Sequence, residues 1–453
     1  MLTDKNTITG KYILRGWLQA VTPIHMGSGR AENSEMDIIR DSDGRPCIPA
    51  SAFLGVLRHA MPAAVDRESE GFQSFWGYSR DEEGRQSGIS CRDLLLDESK
   101  GLPAVVVLRD GVEIDNTTGL ARKTGKFDFE LLERGAVFRL EIEITRRKQD
   151  PDTGKFLRTI IELLNQGRIR VGARTNNGLG QLRPKGNLDL FIYDFSSKKD
   201  VLAWLKGSGN NHAPADPEDL DEPWDISRSG CCLTARMQLK DSLVVRSYGN
   251  EPEQPDAVQL RSGAQWVLPG SSIKGALRAR AERIVNTLGL ANGRELLRDL
   301  FGYVDQSEEG LEGGQKKGRL RVEDVYLDEH GFSLELQSRI RVNRFTGGVQ
   351  KGALFDTMPV FAKKESPPLE FTFEIDKPSP AEIGLLLLLL KDLWTGDLAV
   401  GGEKNIGRGV FQGKGARITA NGLDITLNED ISALPEEDRK RLQEFVTALS
   451  EGE

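Results

Sequence analysis

Ile48-Pro-Ala-Ser-Ala-Phe-Leu-Gly-Val-Leu-Arg58 returns later in the chain as Leu268-Pro-Gly-Ser-Ser-Ile-Lys-Gly-Ala-Leu-Arg278, 220 positions on. A repeat of this kind governs the reading of everything around it, because each copy must be a folding unit of its own. Three further segments recur in the same order. Leu14 to Thr22 matches Ala235 to Ser242, and Thr118-Gly119 with Phe127-Asp128 nine residues on matches Thr346-Gly347 with Phe355-Asp356. Val171-Gly-Ala-Arg-Thr-Asn-Asn-Gly-Leu-Gly180 matches Val400-Gly-Gly-Glu-Lys-Asn-Ile-Gly-Arg-Gly409. The offset drifts from 220 through 228 to 229, the mark of duplication followed by small insertions.

Between the copies lies GSGNNHAPADPEDLDEP, too rich in Gly, Pro, Asn and acids to build a core. The expected division is a first module over 1–205, an acidic linker over 206–225, a second module over 226–417 and an acidic tail over 418–453. Apolar residues three and four apart predict helices over Ser51 to Val65 and Ser271 to Leu288, and Ser379-Pro380 opens another over Ala381 to Trp394. Strands interleaved with these helices predict an α+β chain of two tandem ferredoxin-like (RRM-like) modules, each with an inserted β-hairpin.

At 453 residues there is length for more than one core. The N-terminal MLTDKNTITG lacks the pattern of a signal peptide, and the run Leu385 to Leu390 is far too short to span a bilayer, so the expectation is a cytoplasmic protein with no membrane partner. Four cysteines without CxxC spacing and four histidines predict neither zinc nor disulfides. The net charge of −8 is concentrated: residues 208–227 and 421–453 together carry −12, leaving +4 on the rest. Such a body can hold a phosphate backbone through local basic clusters.

Those clusters sit on the repeated motifs. Ser271, Ser272, Lys274 and Arg278 at a helix start suit phosphate binding, with Ser51 and Arg58 as a weaker version in the first copy; the plain alternative is a serine cap with solvated bases. The loops Asn177-Gly178-Leu179-Gly180 and Gly407-Arg408-Gly409, flanked by Arg168, Arg170, Arg174 and Lys404, are either tight turns or a place where RNA approaches the backbone. The hairpin segments carry Arg122, Lys123, Arg344, Thr346 and Lys351 around apolar tips. His25, in Thr22-Pro-Ile-His-Met-Gly-Ser-Gly29, is either an RNA contact or a satisfied structural residue.

Taken together, Arg341-Val-Asn-Arg-Phe-Thr-Gly-Gly-Val-Gln-Lys-Gly-Ala-Leu-Phe355, LPGSSIKGALR and the Gly-Arg-Gly loop resemble the RAMP superfamily of CRISPR-associated proteins, in particular the backbone subunits of type III effector complexes. Two copies in one chain are similar to the fused double backbone subunit of type III-D systems. The resemblance implies a crRNA-binding subunit whose hairpins act as thumbs that wedge into the guide and target duplex, with other CRISPR effector subunits as neighbours. It also implies a loop aspartate that cleaves the target RNA with Mg²⁺ or a similar divalent cation. In the second copy that spacing falls on Asp256, five residues before Arg261; in the first it falls on Glu35, with Asp37 two residues away. The expected cleaving acids are then Asp256 in the second copy and Asp37, or failing that Glu35, in the first, with Asp37 and Asp256 as the expected metal ligands. A silent scaffold of the same complex and a stand-alone processor of precursor crRNA are the competing readings.

Overall fold

The structure, a computed structural model, describes residues 7–29, 34–80, 83–115, 118–207, 213–226, 230–247, 255–304, 314–420 and 422–451, with only the backbone of Arg80, Glu83, Lys123, Thr124 and Val304. It divides into two compact units: Met1–Gly111, Phe127–Thr175 and Leu179–Ser227 form one, and Val112–Lys126, Asn176–Gly178 and Arg228–Glu453 the other.

In the first unit the central strand is Ile8–Ala20, whose alternation puts Tyr12, Leu14, Leu18 and Ala20 on one buried face. Leu14 lies opposite Ile142 of Val137–Arg147 on one side and Leu190 of Asp189–Asp194 on the other. Ile89–Cys91 pairs with the outer edge of Val137–Arg147. Every pairing is antiparallel; the short Leu182–Pro184 is a fifth strand that also pairs with Ile8–Ala20, and the other four, numbered in chain order, lie in the spatial sequence fourth, first, third, second. Helices Ala50–Ala60 and Thr153–Asn165 bury Phe53, Leu57, Phe156, Leu157, Ile160 and Leu164 in the same core. The first of them ends earlier than its periodicity predicts, because Pro62 forces Met61 out of the helical region, to φ −57° and ψ 139°.

The second unit repeats the plan. Leu233 of the central strand Gly230–Leu239 faces Phe373 of Leu369–Asp376 and Ile418 of Phe411–Ala420, and Leu320–Val322 lies outside Leu369–Asp376. The helices are Gly270–Leu288 and Pro380–Thr395. The latter starts at a capping box: Glu382 N donates to Ser379 Oγ at 3.2 Å and Ser379 N to Glu382 Oε2 at 2.9 Å. Such a cap contributes about 1 kcal/mol. Its apolar run buries Leu385, Leu386, Leu389 and Leu393, where truncating one leucine costs about 2–5 kcal/mol.

Two stretches read as peripheral are folded onto these cores. Within the segment expected as a linker, Trp224 packs 4.5 Å from Phe156 and donates from its backbone to Thr159 Oγ1, while Leu220 is buried. The acidic tail supplies the strand Leu423–Asn428 and the helix Glu436–Glu451, which lies on Pro380–Thr395 so closely that a Cβ on Gly384 would come 2.1 Å from the Phe445 carbonyl. Sparse apolar residues at helical spacing, Leu449 among them, suffice to dock an otherwise acidic segment.

Candidate nucleic-acid interface

The inserted hairpins pair Val106–Ile114 with Ala121–Leu132 and Gln337–Val342 with Val349–Met358. Their turns are built alike. Gly119 N donates to Asp115 O at 2.8 Å and Asp115 N to Leu120 O at 2.9 Å; Gly347 N donates to Asn343 O at 2.8 Å and Asn343 N to Gly348 O at 2.9 Å. Gly119 and Gly347 take φ of 69° and 67°, a region open to glycine. Leu120 is 69% exposed and Phe345 99%, and Ile340, Val342, Val349 and Leu354 are exposed beside the second tip. Apolar side chains exposed on a hairpin in this way are a surface open to a partner. Arg344 and Lys351 stand free in solvent beside Thr346, whose hydroxyl accepts from Gly348 N. Arg122 is paired with Glu113 at 2.8 Å, and the Lys123 side chain lies outside the described residues.

At the base of each hairpin the loop acid meets the repeated aspartate. Glu35 N donates to Asp128 Oδ1 at 2.8 Å, and Asp356 N donates to Asp256 Oδ2 at 3.0 Å. Donor and acceptor are exchanged between the copies, but the positions correspond. Ala257 and Thr357 pair in parallel in the second copy, and Glu130 N donates to Met36 O in the first. Glu35, therefore, is the counterpart of Asp256. Asp37, favoured from the sequence as catalyst and metal ligand, is 5% exposed, and its Oδ1 accepts from both the amide and the hydroxyl of Ser34 at 2.8 Å. It shapes the loop from inside. Asp128 and Asp356 were read only as repeat markers; that they face the loop acids needs the tertiary fold.

The glycine loops are also superimposable. Val171 N donates to Gly180 O and Gly180 N to Pro23 O; Val400 N donates to Gly409 O and Gly409 N to Ser242 O. A Cβ on Gly180 or Gly409 would lie 2.1 or 1.8 Å from the carbonyl oxygen of Val171 or Val400. These two glycines are required by the packing of the chain itself. Gly178 and Gly407 share φ of 88° and 87°, and Gly407 faces open space beside the exposed Lys404.

A profile of the RAMP superfamily matches residues 17–183 and 209–412, one match for each copy. The chain belongs to the RAMP superfamily. No curated protein matches it. Membership is consistent with an RNA-binding subunit of a CRISPR complex, and among the described residues no helix is long and apolar enough to cross a membrane.

Other motifs of the two RAMP copies turn inward. Arg408 is 3% exposed: it donates to Glu403 Oε2 at 2.7 Å and Ser242 Oγ at 2.8 Å and reaches Gln337 at the hairpin base. Glu403 also binds Arg246 and Arg339; burial opposes its charge, but the hydrogen bonds from Arg408 and Arg246 and the charge of Arg339 hold its pKa below the usual value. His25 is 3% exposed, with Nδ1 2.8 Å from the Glu130 carbonyl, and burial lowers its pKa. The fold encloses it at this point. Arg170 is half-buried, its backbone bridged to Gln181.

The helix starts are corrected in the same sense. The first amides of both helices are taken by carboxylates of the chain: Ala50 N donates to Asp93 Oδ1 and Gly270 N to Asp324 Oδ1, each at 2.7 Å. That leaves less of the helix end for a phosphate. Ser51, Ser271 and Arg58 are exposed, Ser272 is half-buried, and Arg278 is exposed but paired with Glu282. Lys274 is 8% exposed, its ammonium donating to the Leu320 carbonyl at 2.8 Å.

Burial, with Lys317, Arg278 and Arg321 nearby, lowers the Lys274 pKa from 10.5 to about 8. Below pH 8 both folded and unfolded chains are protonated and the cost of the buried charge is carried in full. Between 8 and 10.5 the unfolded chain binds more protons, so stability rises with pH. Lys274→Met is therefore expected to gain most on the parent below pH 8, by on the order of 3 kcal/mol at most. Urea midpoints should show that gap closing towards pH 10.5, the unfolded value; a constant gap would exclude the ammonium as its cause.

Proposed function

We propose that the chain is a crRNA-binding backbone subunit of a cytoplasmic type III CRISPR effector complex, resembling the fused subunit of III-D systems, and that it is an endoribonuclease on target RNA complementary to the guide. The antiparallel sheets, with strand order fourth, first, third, second, support two ferredoxin-like modules. The observation that carries the function is the repeated hydrogen bond between the loop-acid residue and the hairpin aspartate, from the Glu35 amide to Asp128 and from the Asp356 amide to Asp256, at the base of a hairpin with an apolar tip.

A tip stacked between bases displaces a nucleotide, and cleavage follows where the bound RNA brings an exposed phosphodiester to a loop acid at a hairpin base. The carboxylate of Asp256, or of Glu35, then accepts the proton of the adjacent 2′-hydroxyl as its oxygen attacks phosphorus and the 5′-oxygen leaves with a proton from water, giving a 2′,3′-cyclic phosphate and a 5′-hydroxyl. Among the described residues no group of three or more potential ligands is assembled for a metal. Two carboxylates plus substrate oxygens nevertheless suit Mg²⁺, and Asp356 Oδ1 is buried without a hydrogen bond next to Asp256. Asp256 with Asp356, and Glu35 with Asp128, would hold such a cation, which would neutralise charge on the phosphate.

The test is to incubate the complex, purified with its guide and its neighbouring subunits, with matched RNA with and without Mg²⁺. Guide-directed cuts that need the cation are expected. Intact target in both tubes would leave the chain a scaffold.

A further inference from the structure

We propose that Arg174 is a seat for one phosphodiester of bound RNA in the first copy and that the second copy has no counterpart, so that the two copies grip RNA unequally at their hairpin bases. This deepens the RNA-binding reading above and rests on it.

The shared hydrogen bonds of the glycine loops place Arg174 of one copy at the position of Glu403 of the other. Both residues are left-handed, with φ of 58° and 55°, so the same backbone presents opposite charges. Because both copies adopt it, the strain belongs to the loop and says nothing by itself about function. What the side chains do differs.

Glu403 gathers Arg246, Arg339 and Arg408 on its one carboxylate, so the charges at this position of the second loop are held by contacts within the chain. Nothing comparable closes on Arg174. Its guanidinium lies 4.4 Å from the ring centre of Phe129 and 4.7 Å from that of Phe127, with Nη2 3.7 Å from Met36 Sδ. Among the described residues no carboxylate stands within ion-pair distance of it. The pKa of its neighbour His25 is lowered by burial, with the charge of Arg174 acting in the same direction.

A half-buried guanidinium without a counter-ion is costly, and aromatic faces offset only part of that cost. No carboxylate among the described residues takes the N–H donors of this planar group, and a guanidinium can hold a phosphate through two parallel hydrogen bonds. Met36 follows Glu35, and Phe127 and Phe129 flank Asp128, so Arg174 packs against the same two segments that form the first acid pair. A sugar-phosphate chain crossing that base would meet both. In the first copy Leu179 occupies the place of Arg408 and is buried with Phe129 and Leu131. The arginine of the first loop is thus moved from the interior to the open edge.

The test uses the full chain and a labelled single-stranded RNA, with affinity measured by anisotropy over a range of salt concentrations. Each phosphate contact on a single strand contributes about 0.7 to the slope of log affinity against log salt. Arg174→Ala is expected to reduce the slope by about that amount and Arg174→Lys to restore most of it. Arg408→Ala is expected to lower the melting temperature and leave the slope unchanged. If Arg174→Ala weakens binding equally at every salt concentration, the residue merely braces the hairpin and the proposal is overturned. Equal slope losses for Arg174→Ala and Arg408→Ala would overturn the asymmetry. A parent chain that binds no RNA at low salt would instead sink the RNA-binding reading, a result distinct from either.

Discussion

Asp256→Ala is expected to abolish one product of target cleavage and leave guide binding intact. Asp256 is exposed, and one of its oxygens accepts a single backbone hydrogen bond from Asp356, so truncating it costs at most about 1 kcal/mol of stability. Losing a group that takes a proton in the reaction costs about 10²–10⁴-fold in rate. Function and folding therefore separate cleanly at this residue. Asp256→Asn keeps an acceptor for the Asp356 amide and loses the charge, so it should behave like alanine in the cleavage assay and like the parent in thermal melting. Glu35→Ala should remove the other product in the same way. Asp37→Ala is expected to behave differently: deleting a buried carboxylate that accepts twice from Ser34 leaves those donors unsatisfied and costs about 1–3 kcal/mol. A variant of normal stability that lacks the first-copy product would return Asp37 to the catalytic role.

The second large effect lies in the glycine loop. Gly409→Ala is expected to destabilise the second copy by on the order of 4 kcal/mol, and Gly407→Ala by about 1 kcal/mol. Both residues have positive φ, 70° and 87°, so the intrinsic penalty is similar. The surroundings decide the difference. A methyl group on Gly409 would lie 1.8 Å from the Val400 carbonyl oxygen, and the loop cannot retreat without breaking the hydrogen bond from Gly409 N to Ser242 O at 2.7 Å. Around Gly407 there is open space. Paired denaturant titrations read the contrast directly, and equal losses for the two variants would show that the loop is free to move.

The repeat, its order and the long helices were legible because they are properties of neighbouring residues. Thr118-Gly119 and Thr346-Gly347 set their turns locally, and Ser379-Pro380 starts a helix whatever surrounds it. Burial of a charged side chain is not local. Lys274 and Arg278 differ by one turn on the same helix, yet one donates to the interior carbonyl of Leu320 and the other stands in solvent. Arg408 looked like an RNA contact because it sits between glycines; its partners Ser242 and Gln337 are 166 and 71 positions away. The choice between Glu35 and Asp37 had the same origin, since only the hairpin aspartate shows which of them faces the base. The charge exchange between Arg174 and Glu403 was visible in the aligned loops, but its meaning depends on Phe127 and Phe129 in one copy and on Arg246 and Arg339 in the other.

That each copy carries its own cutting group is tested most directly by the triple substitution of Glu35, Asp37 and Asp256 with alanine in the chain assembled with guide RNA and its neighbouring subunits. Product bands from matched RNA in Mg²⁺ are then compared with those of the parent complex. The expected result is a complex that still holds guide and target and yields no product. Survival of every band would place the cutting groups in other subunits and contradict the account.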